Sequence, residues 1–358
     1  MLQQLRVLYP TAPIYTSVFN PSVLPSDTAA WDVRPSFLQY LPFVTHYSRA
    51  TLPLMSAAFG WFDLRRYDVV ISVAAAFAKN VRTTTGTNVC YCLTPPRYIW
   101  DLHDDYVRGH IGRPVLNAAA RWLRQMDLAA ASRVDDFIAI SHTVADRVRR
   151  TYSREASVIY PPVDTAQIRP SNAPPEPFYL VVGRLVAYKR IDLAVAACTR
   201  LGRRLLVVGT GPERKRLEAL AGPSVTFLGR VGDAEVAQLY ARCKAFLFPG
   251  FEDFGITPVE AQAAGRPVVA FGRGGASETV VDGVTGVLFQ DQSTYGLIDA
   301  IERLDRSSID PRACRANALR FDASIFRERM SAAVERALCH PEERSDEGSL
   351  SLKEGTSG

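Results

Sequence analysis

From residue 178 onward, short apolar runs alternate with longer stretches of helical period. Phe178–Val182, Arg204–Val208, Val225–Leu228, Ala245–Phe248, Pro267–Phe271 and Val287–Phe289 read as strands. Ile191–Leu201, Glu213–Ala221, Ala234–Cys243, Pro258–Ala264 and Thr294–Leu304 read as the helices that follow or separate them. Runs of Val, Leu and Phe without polar alternation are buried on both faces. Spaced by helices, they predict a parallel, doubly wound α/β sheet.

The first half is less regular. Val69–Val73, Val89–Leu93, Asp136–Ile140 and Ala156–Tyr160 read as strands, and Leu116–Ala131 and Thr143–Tyr152 as helices. Residues 11–62 hold many aromatics and prolines and no clear period. Pro161–Asp164 and the proline-rich Pro170–Pro177 read as a linker, which separates an N-terminal domain (1–165) from a C-terminal one (166–320). A further helix is expected over 321–340, packing back toward the first domain, and the polar stretch 341–358 reads as a disordered tail. A parallel nucleotide-type domain normally opens on an apolar strand and a glycine-rich turn. Here Met1–Tyr9 reads as a helix, so that first strand has no counterpart.

The richest segment chemically is Pro249–Glu260, where Glu252 and Glu260 bracket a Phe-Gly-Ile turn between a buried strand and a helix. A strand end facing a helix N-terminus is where open α/β sheets bind ligands, because free backbone N–H groups face the crevice there. Two carboxylates suit a ligand rich in hydroxyls. Glu260 also fits a purely structural role, since Thr257-Pro258-Val259-Glu260 has the form of a capping box. Both roles stay open from spacing alone. Glu252, outside the helix beside Phe251 and Phe254, has no such structural account.

Composition narrows the picture. The 358 residues are 47% hydrophobic, enough for two cores. The net charge of +5 is mild and gives no reason to expect a nucleic-acid partner. It rests on arginines crowded into one region, including Arg97, Arg108, Arg113, Arg121, Arg124, Arg133, Arg147, Arg149, Arg150 and Arg154. That density suits a solvated face, an anionic membrane surface or a phosphate-bearing acceptor. The six cysteines show no C-x-x-C spacing and read as small buried residues in a reducing compartment. His103-Asp104-Asp105 is the only metal-like cluster and reads as a solvated loop. No metal or cofactor is expected. With no signal-peptide pattern and no membrane-spanning run, the expected location is cytoplasmic, with peripheral contact at the inner face of the membrane.

In this order and context, several stretches together resemble the family 4 retaining glycosyltransferases of GT-B fold, within them the mannosyltransferase-like enzymes of O-antigen and exopolysaccharide assembly. They are Tyr91–Asp101, Gly183–Asp192, Gly209–Glu213, Phe227–Arg230, Glu252…Glu260 and Gly274-Gly275 with Glu278. The resemblance implies two Rossmann-like domains facing a cleft and metal-independent transfer of a hexose, mannose favoured. The donor would be a nucleotide-diphosphate sugar and the acceptor a saccharide or lipid-linked saccharide. Arg184 and Lys189 would carry the charge on the leaving phosphates, and Glu252 would hold donor-sugar hydroxyls. Gly183, Gly209, Gly211, Arg230, Val231, Phe254, Gly255 and Ile256 would surround the donor, with Glu260 on the ribose. Arg97, Trp100 and Asp101 are the acceptor-side candidates. Against that, Trp100 reads as a core filler and Arg97–Asp101 as an i,i+4 pair on a helix. Two departures, the absent opening strand and Leu93 where related enzymes carry His, make a non-catalytic nucleotide-sugar-binding paralogue the competing reading.

Overall fold

The computed structural model describes the chain except residues 22–27, 29–30, 42–51, 85, 102, 105–111, 172 and 340–358. Arg108, Asp105 and the expected tail at 341–358 therefore lie outside the described residues. The chain divides into two compact units. Among the described residues, one holds those of Leu2–Ile140, Val144–Ile159 and Arg327–Cys339; the other holds Met1 and those of Ser141–Thr143 and Tyr160–Phe326.

In the C-terminal unit, six strands are all parallel: β7 (Phe178–Val182), β8 (Arg204–Val208), β9 (Val225–Gly229), β10 (Ala245–Phe248), β11 (Val268–Phe271) and β12 (Gly286–Phe289). Their spatial order is β12-β11-β10-β7-β8-β9. The period of two along each strand sorts the apolar side chains. Tyr179, Val181, Leu205, Val207 and Leu247 pack on one face with α5 (Ile191–Leu201), α6 (Arg214–Leu220) and α10 (Thr294–Asp305). Phe178, Leu180, Leu206, Val208, Phe246 and Phe248 pack on the other with α7 (Asp233–Arg242) and α8 (Ile256–Ala263). Helices on both faces explain why these strands carry no polar alternation. The exception is the edge strand β9, whose burial does alternate.

The strand order reverses direction between β7 and β10. Such a reversal opens a crevice at the carboxyl ends of those two strands, because their following helices leave toward opposite faces. The loops after β7 (residues 183–190) and β10 (249–255) thus border the natural ligand position of this sheet.

The N-terminal unit contains a four-stranded parallel sheet in the order β3 (Val69–Ala74), β4 (Thr87–Cys92), β5 (Asp136–Ala139) and β6 (Ser157–Val158). Residues 1–68 open on helix α1 (Leu2–Leu8) and include a two-stranded piece, β1 (Ile14–Thr16) with β2 (Val33–Pro35), and helix α2 (Leu52–Trp61). Among the described residues no strand precedes α1. Helices α3 (Arg113–Ala131) and α4 (His142–Tyr152) follow β4 and β5. Helix α12 (Ala323–Cys339) begins in the C-terminal unit, and from Arg327 its residues belong to the N-terminal one. There Thr87 Oγ1 donates to the Ala337 carbonyl at 3.3 Å.

Two local expectations are corrected. Helix α8 begins at Ile256 after Gly255, with no side-chain cap, so Thr257 is not an N-cap and there is no capping box. His103 is buried rather than in a solvated loop, with Nε2 2.9 Å from Asn117 Oδ1. Five of the six cysteines are buried and free, as their apolar surroundings predict; Cys339 is exposed. Among the described residues, no helix is long and apolar enough to cross a membrane.

Candidate nucleotide-sugar site

Lys189 ends the loop after β7, in a short 3-10 turn at Ala187–Lys189. Glu252 lies in the loop after β10. The two side chains meet across the switch point, Lys189 Nζ to Glu252 Oε1 at 2.7 Å, each about one-fifth exposed. The angle falls outside hydrogen-bond geometry, and Oε1 is otherwise buried without a hydrogen bond. The pair is a contact of charge with charge, which an incoming polar ligand can replace on either side.

The next residue, Arg190, adopts a left-handed conformation (φ 48°, ψ 36°), one of two non-glycine residues at positive φ among those described. Its guanidinium reaches Asp192 at 3.2 and 3.3 Å. A side chain in that region costs about 1–2 kcal/mol, and the clip onto Asp192 offsets part of it. The strain fixes where the loop turns into α5, directly beside Lys189. Arg184, in the same loop, is exposed, and its side chain makes no hydrogen bond or ion pair among the described residues.

The rim is stitched by backbone. Gly183 N–H donates to the Val208 carbonyl (3.0 Å), Leu185 N–H to Thr210 (2.9 Å) and Gly209 N–H to Gly229 (2.6 Å). Gly209 has φ +129°, and a Cβ there would sit 1.9 Å from the Gly183 carbonyl oxygen; one at Gly211 would sit 2.2 Å from that of Leu185. Only glycine lets these loops touch. Arg230 is exposed and Val231 half-buried at the end of β9.

After β10, Gly255 (φ +85°) turns the chain into α8. The first-turn N–H groups of that helix, from Ile256 onward, have no carbonyl partner within it and no side-chain cap. Phe254 anchors the turn from beneath. It is buried, stacked on Tyr160 at 5.6 Å and edge-on to Phe321 at 5.6 Å. Its ring is structural, and its backbone packs so closely on Gly275 that a Cβ there would sit 2.2 Å from the Phe254 carbonyl oxygen. Glu260, one turn into α8, accepts from the Tyr240 hydroxyl at its Oε2 (2.9 Å). Burial raises the Glu260 pKa above the usual carboxylate value; the Tyr240 hydrogen bond opposes this and Asp233 adds to it. Glu278 is occupied, accepting from the backbone N–H of His142 (2.8 Å) and Thr143 (3.0 Å), residues of the same unit.

The structure thus brings Gly183, Lys189, Gly209, Gly211, Glu252, Phe254, Gly255, Ile256 and Glu260 to the carboxyl edge of one sheet, with Arg184, Arg230 and Val231 on its exposed rim. The acceptor-side candidates belong to the other unit, and local readings of them change. Residues 97–101 form a turn after β4, not a helix, and Asp101 pairs with Arg147 Nε at 2.8 Å rather than with Arg97. Trp100 is half-buried and donates its indole N–H to Asp127 at 2.9 Å. Leu93, at the end of β4, is also half-buried. Sequence reasoning missed Tyr240, Arg190, Tyr160 and Phe321, whose partners lie far away in sequence or whose role is a backbone angle.

Residues 164–321 match the family model described as glycosyl transferases group 1. That span, called below the group 1 domain only after the model it matches, contains every donor-side residue named above. Among curated relatives, a glycogen synthase of Mycobacterium tuberculosis is 29% identical over 252 residues, covering 65% of this chain and 58% of the relative. A GDP-mannose-dependent alpha-mannosyltransferase of Corynebacterium glutamicum is 37% identical over 108 residues, 30% of this chain and 26% of the relative. The chain therefore spans well under two-thirds of the length of these relatives. Among solved structures, sucrose-phosphate synthase from Thermosynechococcus elongatus superposes with a TM-score of 0.72 at 21% identity, covering 94% of this chain and 92% of that one. The fold is GT-B.

Proposed function

We propose that the protein transfers a hexose, mannose favoured, from a nucleotide-diphosphate sugar to a saccharide or lipid-linked saccharide with retention of configuration, in cell-surface polysaccharide synthesis. The observation that carries this reading is the Lys189–Glu252 contact at the switch point of the group 1 domain. A diphosphate leaving group gains negative charge as the glycosidic bond breaks. Lys189, as a point charge, and Arg184, which can fork onto two oxygens, stabilise that charge without a metal ion. Glu252, released from Lys189, accepts hydrogen bonds from sugar hydroxyls. Glu260 takes the ribose, and the uncapped N–H groups at the start of α8 face the sugar and phosphate. The chemistry asks for positioning and charge stabilisation, not a covalent nucleophile.

The test is turnover of a panel of labelled nucleotide sugars, GDP-mannose and UDP-glucose first, by wild type, Lys189→Ala and Glu252→Gln. Lys189→Ala is expected to lose about 10²–10³-fold in kcat, the loss typical when one group stabilising developing charge is removed, and Glu252→Gln to lose activity through a weakened hold on the sugar hydroxyls. Full activity in both variants sinks the reading. Leu93 at the end of β4 favours the second reading, a nucleotide-sugar binder without catalysis. Nucleoside diphosphate binding with no turnover of any donor would establish it.

Peripheral contact with the membrane belongs to the same proposal. Helix α3 leaves Val115, Leu116, Trp122 and Leu128 exposed beside Arg113 and Arg121, and its single acidic residue, Asp127, is buried. A face with apolar anchors, a tryptophan and only cations suits anionic headgroups. Trp122→Ala with Arg121→Glu is expected to abolish cosedimentation with phosphatidylglycerol vesicles. Binding that is unaltered in this variant, or absent in wild type, removes that part of the proposal.

A further inference from the structure

Tyr240 is a fully buried phenol whose hydroxyl has one partner among the described residues, Glu260 Oε2 at 2.9 Å. It comes from α7, twenty positions before Glu260 on α8, and its ring rests on Phe246 of β10 with centroids 5.6 Å apart. Phe246 is itself fully buried. The phenol is therefore fixed by a strand of the core, and it fixes one oxygen of the carboxylate. Glu260 Oε1 makes no hydrogen bond among the described residues. A glutamate with both oxygens free swings among rotamers; this one has a single oxygen tethered and the other available.

We propose that Tyr240 is a positioning residue for the nucleoside, holding Glu260 by Oε2 so that Oε1 accepts from the vicinal hydroxyl pair of a ribose. The proposal rests on the reading of the group 1 domain as a donor site and extends it to a residue that would touch no substrate. A carboxylate pre-set in this way spends no rotamer freedom on binding, so its contribution appears as discrimination between a ribose and a deoxyribose. Besides Tyr240, the charge of Asp233 at the start of α7 acts on Glu260, raising its pKa.

The experiment is calorimetric titration of the full chain with GDP and UDP and with their 2′-deoxy counterparts. Wild type is expected to prefer the ribonucleotide. In Tyr240→Phe, which keeps the ring, ribonucleotide affinity is expected to fall about tenfold, the scale of a lost hydrogen bond to a charged group. Deoxynucleotide affinity should change far less, so the preference collapses. The acid limb of ribonucleotide binding should also move to higher pH, because the hydrogen bond that favours the ionised carboxylate is gone. Unchanged preference in Tyr240→Phe overturns the proposal, as does an equal loss for both sugars, which would mean that the phenol acts through the fold alone. If Tyr240→Phe does not fold, Glu260→Gln gives the answer, since its amide oxygen can still accept from Tyr240; retained ribose preference there overturns the proposal equally. Failure of wild type to bind any nucleoside diphosphate is a different result. It refutes the donor-site reading itself and takes the proposal with it.

Discussion

Lys189–Glu252 in the C-terminal unit and Lys79–Asp127 in the N-terminal unit are both lysine–carboxylate pairs, yet they are built differently. Lys79 and Asp127 are almost completely buried and every polar atom is used. Lys79 Nζ donates to Asp127 and to the Ala76 carbonyl (3.0 Å) and lies 5.2 Å from the centre of the Tyr152 ring. Asp127 Oδ2 accepts from Trp100 Nε1 (2.9 Å) and the Tyr152 hydroxyl (2.7 Å). Lys189 and Glu252, by contrast, keep partial exposure and hold each other by charge alone. A buried pair with complete hydrogen bonding has nothing left to offer a ligand. A pair that keeps about one-fifth of its surface exposed and has poor bond geometry, at the switch point of a sheet, does. Satisfaction of the polar atoms, more than the presence of charge, separates the structural pair from the candidate site.

Asp127→Ala is the largest expected break in that contrast. It leaves a buried ammonium, and strips a partner from Trp100 and Tyr152. A loss of about 3–5 kcal/mol in the urea unfolding free energy is expected. The double variant Lys79→Met/Asp127→Leu should recover most of it, because it removes the uncompensated charge. A single variant costing under about 1 kcal/mol, or a double no better than the single, would mean that the two pairs do not differ in kind. In Lys189→Ala the same measurement should move by less than about 1 kcal/mol, as for other partly solvated pairs, even as transfer collapses.

What the sequence made legible follows the same division. The strands of the C-terminal sheet could be read nearly to the residue, because burial on both faces leaves runs of apolar side chains in all but the edge strand β9. Their ends marked Lys189, Glu252 and the glycines, since a strand end is a local feature. The Tyr240–Glu260 and Lys79–Asp127 partnerships could not be read, as they join positions 20 and 48 residues apart with no period to betray them. The start of α8 was misjudged because Thr257-Pro258 carries a cap-and-N1 pattern that a left-handed Gly255 pre-empts two residues earlier. Residues 11–62 gave no pattern for a different reason. Strands β1 and β2 are three residues each, too short to alternate, and α2 has no charged residue to mark a polar face.

Glu260 tests the contrast at its finest, because it lies between the two extremes: tethered once, buried in part, and held for a ligand. Burial raises its pKa in the folded protein, with Asp233 adding to the effect and the Tyr240 hydrogen bond working against it. For an acid whose folded pKa is raised, the neutral form is the one the fold prefers. Its contribution to stability is then fullest below the ordinary value of 4.5 and is lost as pH climbs through the raised value. Glutamine is neutral throughout and can still accept from Tyr240. The melting temperature of Glu260→Gln should therefore match wild type in acid and exceed it at pH 7, while its ribonucleotide binding is weakened at pH 7. A melting difference that is flat with pH, or that favours wild type at neutral pH, would show the carboxylate to be settled in the fold like Asp127. A difference that opens as Glu260 ionises marks a group kept charged against the preference of its surroundings. That is the condition expected of a residue retained for its ligand.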